Sequence, residues 1–279
     1  MLYSSGIPSR SLGMLDAKAQ VLELTIAGRD LTIHQSPGLL RSDRSTGTTG
    51  AVVWEVTPIF AEWIASPTNI LFKHDILDST AEVIELGSGI AGIVGLMLAP
   101  LVNRFIFTDQ EYVLKTLRFN INENMPSSRP QARSRKQSRN KEHNQILSTD
   151  SHVDVVPLDW EISEVQHCLR SLGYDDSTAQ GARVNAVLAI DCVFNESLVK
   201  PLVDTCRTIC RNGCQQDGTQ PSVCIFAQQL RLPEVFELWM KTMMQDFQVW
   251  RVPDEALSHE LAEQSGFVVH LGVLKESFR

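Results

Sequence analysis

The stretch of sequence that decides the fold runs from Val83 to Gly92 and reads Val-Ile-Glu-Leu-Gly-Ser-Gly-Ile-Ala-Gly. It starts as a short, mostly apolar strand, and an apolar helical segment follows the glycines up to Ala99. Gly87 and Gly89 have no Cβ atom, so the backbone there can turn sharply and approach a ligand closely. The free N–H groups at the start of the helix would then face that ligand. This strand–turn–helix pattern predicts a site for a nucleotide-type cofactor.

Two cofactors are compatible with these glycines, and an acidic residue beside them separates the two. Gly87-x-Gly89-x-x-Gly92 fits the dinucleotide fingerprint, and Asp109 follows about 20 residues later, at the end of a second apolar strand. Glu85 stands at the mouth of the first strand, where its carboxylate would crowd a negatively charged pyrophosphate. S-adenosylmethionine instead carries a sulfonium and an ammonium group, and its ribose hydroxyls can donate to Asp109. The Glu-x-Gly-x-Gly pattern therefore favours S-adenosylmethionine over NAD.

Length and composition are those of an ordinary globular protein. The chain has 279 residues, of which 43% are hydrophobic and 21% charged, and its formal net charge is −8. Such a chain can build one sizeable core, so we predict a single domain over 1–279. No apolar run reaches the ~20 residues that span a bilayer, and the first residues lack the basic start and apolar stretch of a signal peptide. We expect a soluble monomer in the cytoplasm, with the nucleus as an additional location and no membrane contact.

Three of the six cysteines, Cys206, Cys210 and Cys214, recur at every fourth residue. This spacing places them on one stripe of a helix predicted over Asn195–Arg211, with Cys214 just past its end. A zinc site would need a fourth ligand at suitable spacing, and no histidine is near in sequence. Since free cysteine is among the most buried residue types, we expect these thiols to pack in the core, without a metal or a disulfide.

Beyond the glycine turn, short apolar segments alternate with helical ones as far as Leu274. This alternation indicates a parallel sheet covered on both faces. We predict an α/β fold with a Rossmann-like, seven-stranded sheet, helices on both faces and a core over 83–274. The strands are predicted at Val83–Leu86, Arg104–Thr108, Val153–Leu158, Val184–Ile190, Val223–Gln228, Phe247–Arg251 and Phe267–Leu274. The helices are predicted at Ile90–Ala99, Gln110–Asn122, Ile162–Leu172, Asn195–Arg211 and Leu232–Asp246.

Two segments lie outside this array. Residues 18–36 alternate apolar and polar around a glycine-bearing turn, which is typical of a β-hairpin that packs on the main domain. Residues 126–151 form a polar insertion, in which six Arg and Lys against one Glu between Pro126 and Gln145 give a charge of +5. We expect a disordered surface loop there. The alternative is that this basic run binds RNA or a ribosome. Apart from this segment, we do not expect the protein to bind nucleic acid.

Several features of the chain, taken in order, resemble one known family. They are the N-terminal hairpin, Thr49-Gly50-Ala51-Val52-Val53-Trp54, Glu85-Leu86-Gly87-Ser88-Gly89, Thr108-Asp109, Leu158-Asp159-Trp160 and Asp191-Cys192-Val193-Phe194. The set is similar to the seven-β-strand protein-lysine methyltransferases related to those of valosin-containing protein and heat-shock protein, and most of all to the fungal ribosomal lysine N-methyltransferases. The resemblance covers Lys18 to Leu274. It implies a class I methyltransferase that uses S-adenosylmethionine to methylate a lysine of a ribosomal or other translation- or chaperone-related protein.

The resemblance also implies ten cofactor-binding residues: Trp54, Glu85, Gly87, Ser88, Gly89, Asp109, Asp159, Trp160, Ala189 and Ile190. Among them, Asp109 would accept hydrogen bonds from the ribose hydroxyls. Trp160 would flank the adenine, because an aromatic ring offers a flat apolar contact, and Asp159 would accept from the exocyclic amine. A helix cap is the structural alternative for Asp109, and a turn carboxylate is that for Asp159.

At the end of the fourth strand, Asp191-Cys192-Val193-Phe194 matches the Asp-x-x-Tyr or Asp-x-x-Phe motif that faces the target in this family. The resemblance implies that Asp191 anchors the incoming ammonium or holds the attacking amine, and that Phe194 presents an aromatic face to it. Phe in place of Tyr removes a hydroxyl, so no proton step through a phenol is implied. The alternative is that Asp191 caps the next helix and Phe194 packs in the core.

Other functions remain open from the sequence. A methyltransferase for a small molecule or nucleic acid would share the cofactor motif, although the acidic core would repel phosphate and no Asn-Pro-Pro-Tyr motif is present. A methyltransferase-like protein that has lost activity and works as a binding module would share the fold. An NAD oxidoreductase is disfavoured, because no Tyr-x-x-x-Lys pair follows the fourth strand.

Overall fold

The structure is a computed structural model that describes residues 13–40, 48–125, 152–174, 183–212, 220–262 and 265–278. Within these ranges the strands are β1 (Val21–Ile26), β2 (Arg29–His34), β3 (Glu82–Leu86), β4 (Arg104–Asp109), β5 (Val153–Pro157), β6 (Ala186–Ile190), β7 (Val223–Gln229), β8 (Phe247–Arg251) and β9 (Phe267–Leu274). The helices are α1 (Pro37–Leu40), α2 (Val56–Ile64), α3 (Ile70–Lys73), α4 (Ile93–Leu98), α5 (Glu111–Asn124), α6 (Val165–Ser171), α7 (Glu196–Arg211) and α8 (Pro233–Asp246).

The main sheet has the strand order β5-β4-β3-β6-β7-β9-β8, so the predicted seven-stranded, Rossmann-like sheet is confirmed. Strands β3 to β7 run parallel to one another. β9 is antiparallel to both β7 and β8, and the expectation of a purely parallel sheet is wrong at this strand. The reason lies in the connection from β8 to β9. Its described part holds only a short 3-10 turn at Asp254–Ala256, without the helical crossover that usually links parallel neighbours.

Helices cover both faces of the sheet, because successive residues of a strand point to opposite sides. In β3, Val83 belongs to the apolar cluster that includes side chains of α2, α4 and α5, whereas Ile84 belongs to the cluster that includes side chains of α6, α7 and α8. The two apolar layers leave the carboxyl ends of the parallel strands as the edge where side chains from several strands can meet.

Two helix starts show how local sequence sets the boundaries. α4 begins at Ile93 and not at Ile90, because Gly92 before it has a left-handed backbone with a φ of 59°. α7 begins directly after Asn195, whose side-chain oxygen accepts from the Ser197 N–H at 3.0 Å. Asn195 is therefore the cap of this helix.

The cysteines of α7 pack in the core. Cys206 and Cys210 are fully buried, and Cys210 Sγ lies 3.4 Å from Cys224 Sγ, with none of these three cysteines in a disulfide. In the part of the chain that the structure describes, no group of three or more His, Cys, Asp or Glu could hold a metal ion.

Two predictions fall on residues that the structure does not describe, namely Cys214 and the basic insertion at 126–151. Among the residues that it does describe, no helix has the length and apolar character needed to cross a membrane.

The predicted N-terminal hairpin is present as β1 and β2. Two asparagine side chains of α5 hydrogen-bond to the backbone at the outer edge of β2, where a further strand would otherwise pair. Asn124 accepts from the Thr32 N–H at 2.8 Å and donates to the Thr32 carbonyl at 2.9 Å. Asn120 makes the same two bonds to His34 at 2.9 Å each, and it also donates to the Ile90 carbonyl at 2.8 Å. The two amide side chains thus provide hydrogen-bond partners for backbone groups at the edge of the hairpin. Asn120 also links the hairpin to the chain after the glycine turn.

Replacing Asn120 by Ala should loosen the His34 end of β2 from α5, while Asn124 still holds Thr32 and the main sheet stays folded. The change leaves the N–H and carbonyl of His34 and the carbonyl of Ile90 without this partner, which should cost about 2–4 kcal/mol of unfolding free energy. Hydrogen exchange should show lost protection at the His34 amide. Asn122→Ala, at an exposed position on the same helix, is the matched control, and equal protection in both variants would contradict this role.

A buried histidine makes the stability of the fold depend on pH. His270 in β9 packs against Trp239 and Phe236, with ring centroids 5.5 and 5.7 Å away. Burial, reinforced by the charge of Arg251, lowers the pKa of His270 from 6.5 to about 4. The unfolded chain keeps the ordinary pKa, so the unfolded state takes up the proton first as the pH falls.

The contribution of neutral His270 to stability should be complete above pH 6.5 and lost as the pH falls to about 4. This pKa difference corresponds to about 3 kcal/mol. Over this window the wild type should lose that amount of unfolding free energy relative to His270→Phe, which keeps a ring in the core. Urea titrations at several pH values measure it, with the exposed His74→Gln as control. If wild type and His270→Phe respond identically to pH, the buried ring is not what titrates.

Candidate functional site

A cavity of about 350 Å³ opens at the carboxyl ends of β3, β4, β5 and β6. From β3 the sheet extends to β4 on one side and to β6 on the other, and open α/β sheets bind ligands at such a switch point. The volume suits a small organic ligand. Ten of the twelve predicted site residues lie in the wall: Trp54, Gly87, Ser88, Gly89, Asp109, Asp159, Trp160, Ile190, Asp191 and Phe194.

The turn after β3 passes between two side chains that leave no room for a Cβ atom. Gly87 has a φ of 70°, and a Cβ atom there would lie 2.9 Å from Cys192 Sγ and 3.2 Å from the Trp160 ring. Both the left-handed backbone and the close approach therefore require glycine at this position.

Asp109, the last residue of β4, holds the glycine turn with its side chain. Its Oδ2 accepts from the Gly89 N–H at 2.8 Å, and its Oδ1 accepts from the Gln110 N–H at 2.7 Å. Burial raises the pKa of Asp109 to about 6, while these two hydrogen bonds oppose the rise and the charge of Asp159 adds to it. Each oxygen keeps a free lone pair, so the carboxylate can still accept from ligand hydroxyls.

Asp159 and Trp160 follow β5 and lie in the same wall as Asp109. Gln110 Nε2 donates to Asp159 Oδ2 at 3.0 Å, and the Glu161 N–H donates to Asp159 Oδ1 at 3.0 Å. The turn role considered for Asp159 is thus present. The Trp160 ring lies against the glycine turn and offers a flat apolar surface to a ligand.

Trp54 reaches the wall from the segment that precedes the main sheet. Its Nε1 donates to the Thr49 carbonyl at 3.0 Å. The next residue, Gly50, accepts from the Ile90 N–H at 2.9 Å, so the segment is fastened to the chain after the glycine turn. These two bonds set the position of Trp54 in the cavity.

Asp191, directly after β6, has a left-handed backbone with a φ of 57°, which is uncommon for a residue with a Cβ atom. Its Oδ1 accepts from Arg231 Nη1 at 2.9 Å and from the Gln229 N–H at 3.2 Å, and its Oδ2 accepts from Arg231 Nη2. Phe194 lies half-buried in the same wall. The structure therefore brings Asp191 and Phe194 together, with Asp191 bound to a cation of the protein itself.

Two predicted residues do not reach the wall, Glu85 and Ala189. Ala189 is buried within β6. Glu85 is 2% exposed, and its Oε2 has no hydrogen-bond partner among the described residues. Burial raises the pKa of Glu85 to about 8, the Ser88 hydroxyl lowers it in part, and the charge of Asp109 adds to the rise. A positively charged ligand nearby would favour the ionised form of Glu85.

Among the wall residues outside the sequence-based predictions, Gln110, Cys192 and Arg231 make side-chain hydrogen bonds to predicted site residues. Gln110 directly follows a strand-end acid, which is a usable signal. Arg231 pairs with Asp191 across 40 residues, so no local pattern identifies it. The sequence offers one general indication of such a partner, because a carboxylate at a buried strand end needs a cation or several hydrogen-bond donors.

Comparison with known proteins assigns the family. The sequence profile described as lysine methyltransferase matches residues 34–231, well over half of the chain. The chain belongs to the lysine methyltransferase family. As predicted, it is an S-adenosylmethionine-dependent protein-lysine N-methyltransferase with a seven-stranded, Rossmann-like sheet, and its substrate is a protein.

The chain is similar to several named proteins, whose names are not all those of lysine methyltransferases. The chain is 27% identical to Ribosomal lysine N-methyltransferase 5 of Eremothecium gossypii, over 86% of this chain and 84% of that protein. It is 26% identical to Diaminohydroxyphosphoribosylamino-pyrimidine deaminase of Schizosaccharomyces pombe over 85% of this chain, but it spans only 48% of that protein. An S-adenosylmethionine-dependent methyltransferase of Corynebacterium glutamicum superposes on 73% of this chain, covering 85% of its own, with a TM-score of 0.42 and 9% identity.

Asp109→Asn should weaken the binding of S-adenosylhomocysteine to this methyltransferase. Asp109 is predicted to accept from the two ribose hydroxyls of the cofactor, and loss of its charge should cost about 1.5–3 kcal/mol, or roughly 10- to 100-fold in affinity. Isothermal titration calorimetry measures the affinity. Asp154→Asn is the matched control, since it breaks the 2.7 Å ion pair to Arg104 in β4 but lies outside the cavity wall. Unchanged affinity with a lowered melting temperature would show that Asp109 is only a backbone cap.

Proposed function

We propose that this methyltransferase acts on a lysine of a ribosomal protein, as a cytoplasmic monomer that can also be present in the nucleus. The name of the relative from Eremothecium gossypii supports the substrate class, since the two chains align over most of their lengths. The formal charge of −8 also favours a basic partner, and proteins that bind RNA are typically basic.

The observation that carries the proposal is that one cavity has two chemically different parts. One part combines the glycine turn, Asp109 and Trp160. The other combines Asp191, Phe194 and Trp54, which are a carboxylate and two aromatic rings. The first set suits a nucleoside with hydroxyl donors, and the second suits a cationic or methylated amine on a flexible stem.

The first part would hold S-adenosylmethionine, which supplies an electrophilic methyl group on a sulfonium. Gly87, Ser88 and Gly89 would hold its methionine portion, and Asp109 would accept from its ribose hydroxyls. Asp159 would join Trp160 at the adenine, Ile190 would lie along the wall, and Trp54 would lie where the two parts meet and serve both. Glu85 and Ala189, behind the wall, would act only through charge and packing.

The second part would receive the lysine. Its amine must be neutral to attack, and its stem must be aligned with the methyl group, so this end has to orient the side chain without holding it as a tightly bound ammonium. The ring of Phe194 orients an amine without binding its proton. Phe194 has no hydroxyl, so the lysine proton leaves to solvent and not through this residue.

Labelling of purified ribosomal protein tests the proposal. Incubation of the enzyme with tritiated S-adenosylmethionine and total yeast ribosomal protein should label one band, and mass spectrometry should locate the methyl group on a lysine. Label on a small molecule would favour the alternative substrate class. Binding of S-adenosylhomocysteine with no transfer to any fraction of the extract would favour an inactive binding module.

Phe194→Ala should lower turnover about tenfold or more in this assay, because the attacking amine loses its aligned position. Phe194→Tyr should keep most of the activity, since it keeps the ring. Phe119→Ala, an exposed aromatic on α5, is the control and should not change the rate. Full activity in Phe194→Ala would remove Phe194 from the site.

A further inference from the structure

We propose that Arg231 is a positioning residue, which neutralises Asp191 permanently so that the target amine is not trapped as an ammonium ion. The inference rests on the proposed function, because it concerns the part of the cavity that would receive the lysine. In this assignment Asp191 binds Arg231 and does not contact the substrate.

The ion pair between Asp191 and Arg231 uses the full fork of the guanidinium. Both Nη atoms donate to the carboxylate, one to each oxygen, and the Gln229 N–H adds a third bond. The side chain of Asp191 is 2% exposed and that of Arg231 is 17% exposed. In such a desolvated site a bidentate pair is far stronger than a single contact from a mobile lysine. A substrate amine therefore cannot compete for this carboxylate.

Two further neighbours, Trp54 and Gly13, hold the guanidinium in place. Its Cζ lies 4.9 Å from the centre of the Trp54 ring, in a cation–π contact. Gly13 lies against it so closely that a Cβ atom there would be 2.3 Å from Arg231 Nη2. Residues around Gly13 are paired with the chain at Trp54, because the Glu55 N–H donates to the Gly13 carbonyl at 2.8 Å and the Leu15 N–H donates to the Val53 carbonyl at 3.0 Å. An incoming lysine could therefore displace Arg231 only by breaking these contacts together with the ion pair to Asp191.

The chemical consequence concerns the charge of the target lysine. A free carboxylate in the wall would attract a lysine ammonium and raise its pKa, which removes the neutral amine that the reaction needs. With Arg231 bound, Asp191 brings no net charge to this part of the cavity. The aromatic rings of Trp54 and Phe194 then align the amine without holding its proton.

This assignment predicts opposite effects on binding and turnover. In Arg231→Met the free carboxylate should lower KM for the protein substrate, while kcat falls about 10- to 100-fold near neutral pH. The rising limb of kcat against pH should move to higher pH. In Asp191→Asn/Arg231→Met the carboxylate is gone, so the limb should return to its wild-type position. Arg231→Lys keeps a cation and should keep the wild-type limb with partial turnover.

The assay measures methyl transfer from saturating S-adenosylmethionine to total yeast ribosomal protein across pH. The other titratable groups in the described part of the wall are Asp109, Tyr112, Asp159, Glu161 and Cys192, and every variant retains them. Melting temperature and S-adenosylhomocysteine affinity are measured alongside to separate folding from positioning. Arg207→Met is the matched control, since it removes a part-buried arginine that pairs with Asp204 and Asp246 on α7 and α8.

The possible outcomes separate this inference from the proposed function. If the wild type labels no lysine, the proposed function fails and the inference fails with it. If the wild type labels a lysine but Arg231→Met has an unmoved pH limb, or turnover equal to wild type, only the inference is overturned. If Arg231→Met does not fold, Asp191→Asn/Arg231→Met and Arg231→Lys test the inference instead. A rising limb of kcat displaced from its wild-type pH in both of these variants would overturn the inference as well.

Discussion

The site depends on one steric constraint, the passage of the chain at Gly87 between Cys192 and the Trp160 ring. Because glycine has no Cβ atom, the turn can lie directly against Trp160 after β5 and Cys192 after β6. The Gly89 N–H then lies within reach of Asp109, and Ile90 within reach of Gly50. The same turn is tied to the hairpin through Asn120. A single close approach of backbone therefore connects four strands, the N-terminal segment and the cavity wall.

The charges around this turn explain which ligands the site tolerates. Burial raises the pKa of both Glu85 and Asp109, so the protein already holds two carboxyl groups where their ionised forms are disfavoured. A ligand that brings positive charge relieves this cost, and a ligand that brings phosphate increases it. The field of the two acids thus favours a sulfonium cofactor over a dinucleotide. Glu85 contributes to that field from behind the wall and does not need to touch the ligand.

The local parts of the fold follow from the sequence, whereas contacts between distant parts do not. Strand and helix periodicity predicts the seven strands and their helices, because each buries its own apolar face. The direction of β9 depends on how the chain returns after β8, which no periodicity encodes. In the site, the glycines and the acids Glu85 and Asp109 follow from motif spacing and the other residues from the family resemblance, and ten of the twelve lie in the wall. Arg231 is not predicted by either, because its role comes from a pairing across 40 residues. The asparagine pairing of α5 with β2 escapes prediction for the same reason.

The position of β9 between β7 and β8 imposes an order on the completion of the sheet during synthesis at the ribosome. When translation has passed Gln229, strands β3 to β7 can already pair, but one edge of β7 has no neighbour. β8 emerges next and cannot fill that edge in the native arrangement, because its sheet partner in the described chain is β9. The nascent chain therefore exposes an open strand edge until Phe267–Leu274 leaves the exit tunnel and inserts between the two. Open edges of this kind attract other strands, so the interval is a natural point for chaperone binding during translation.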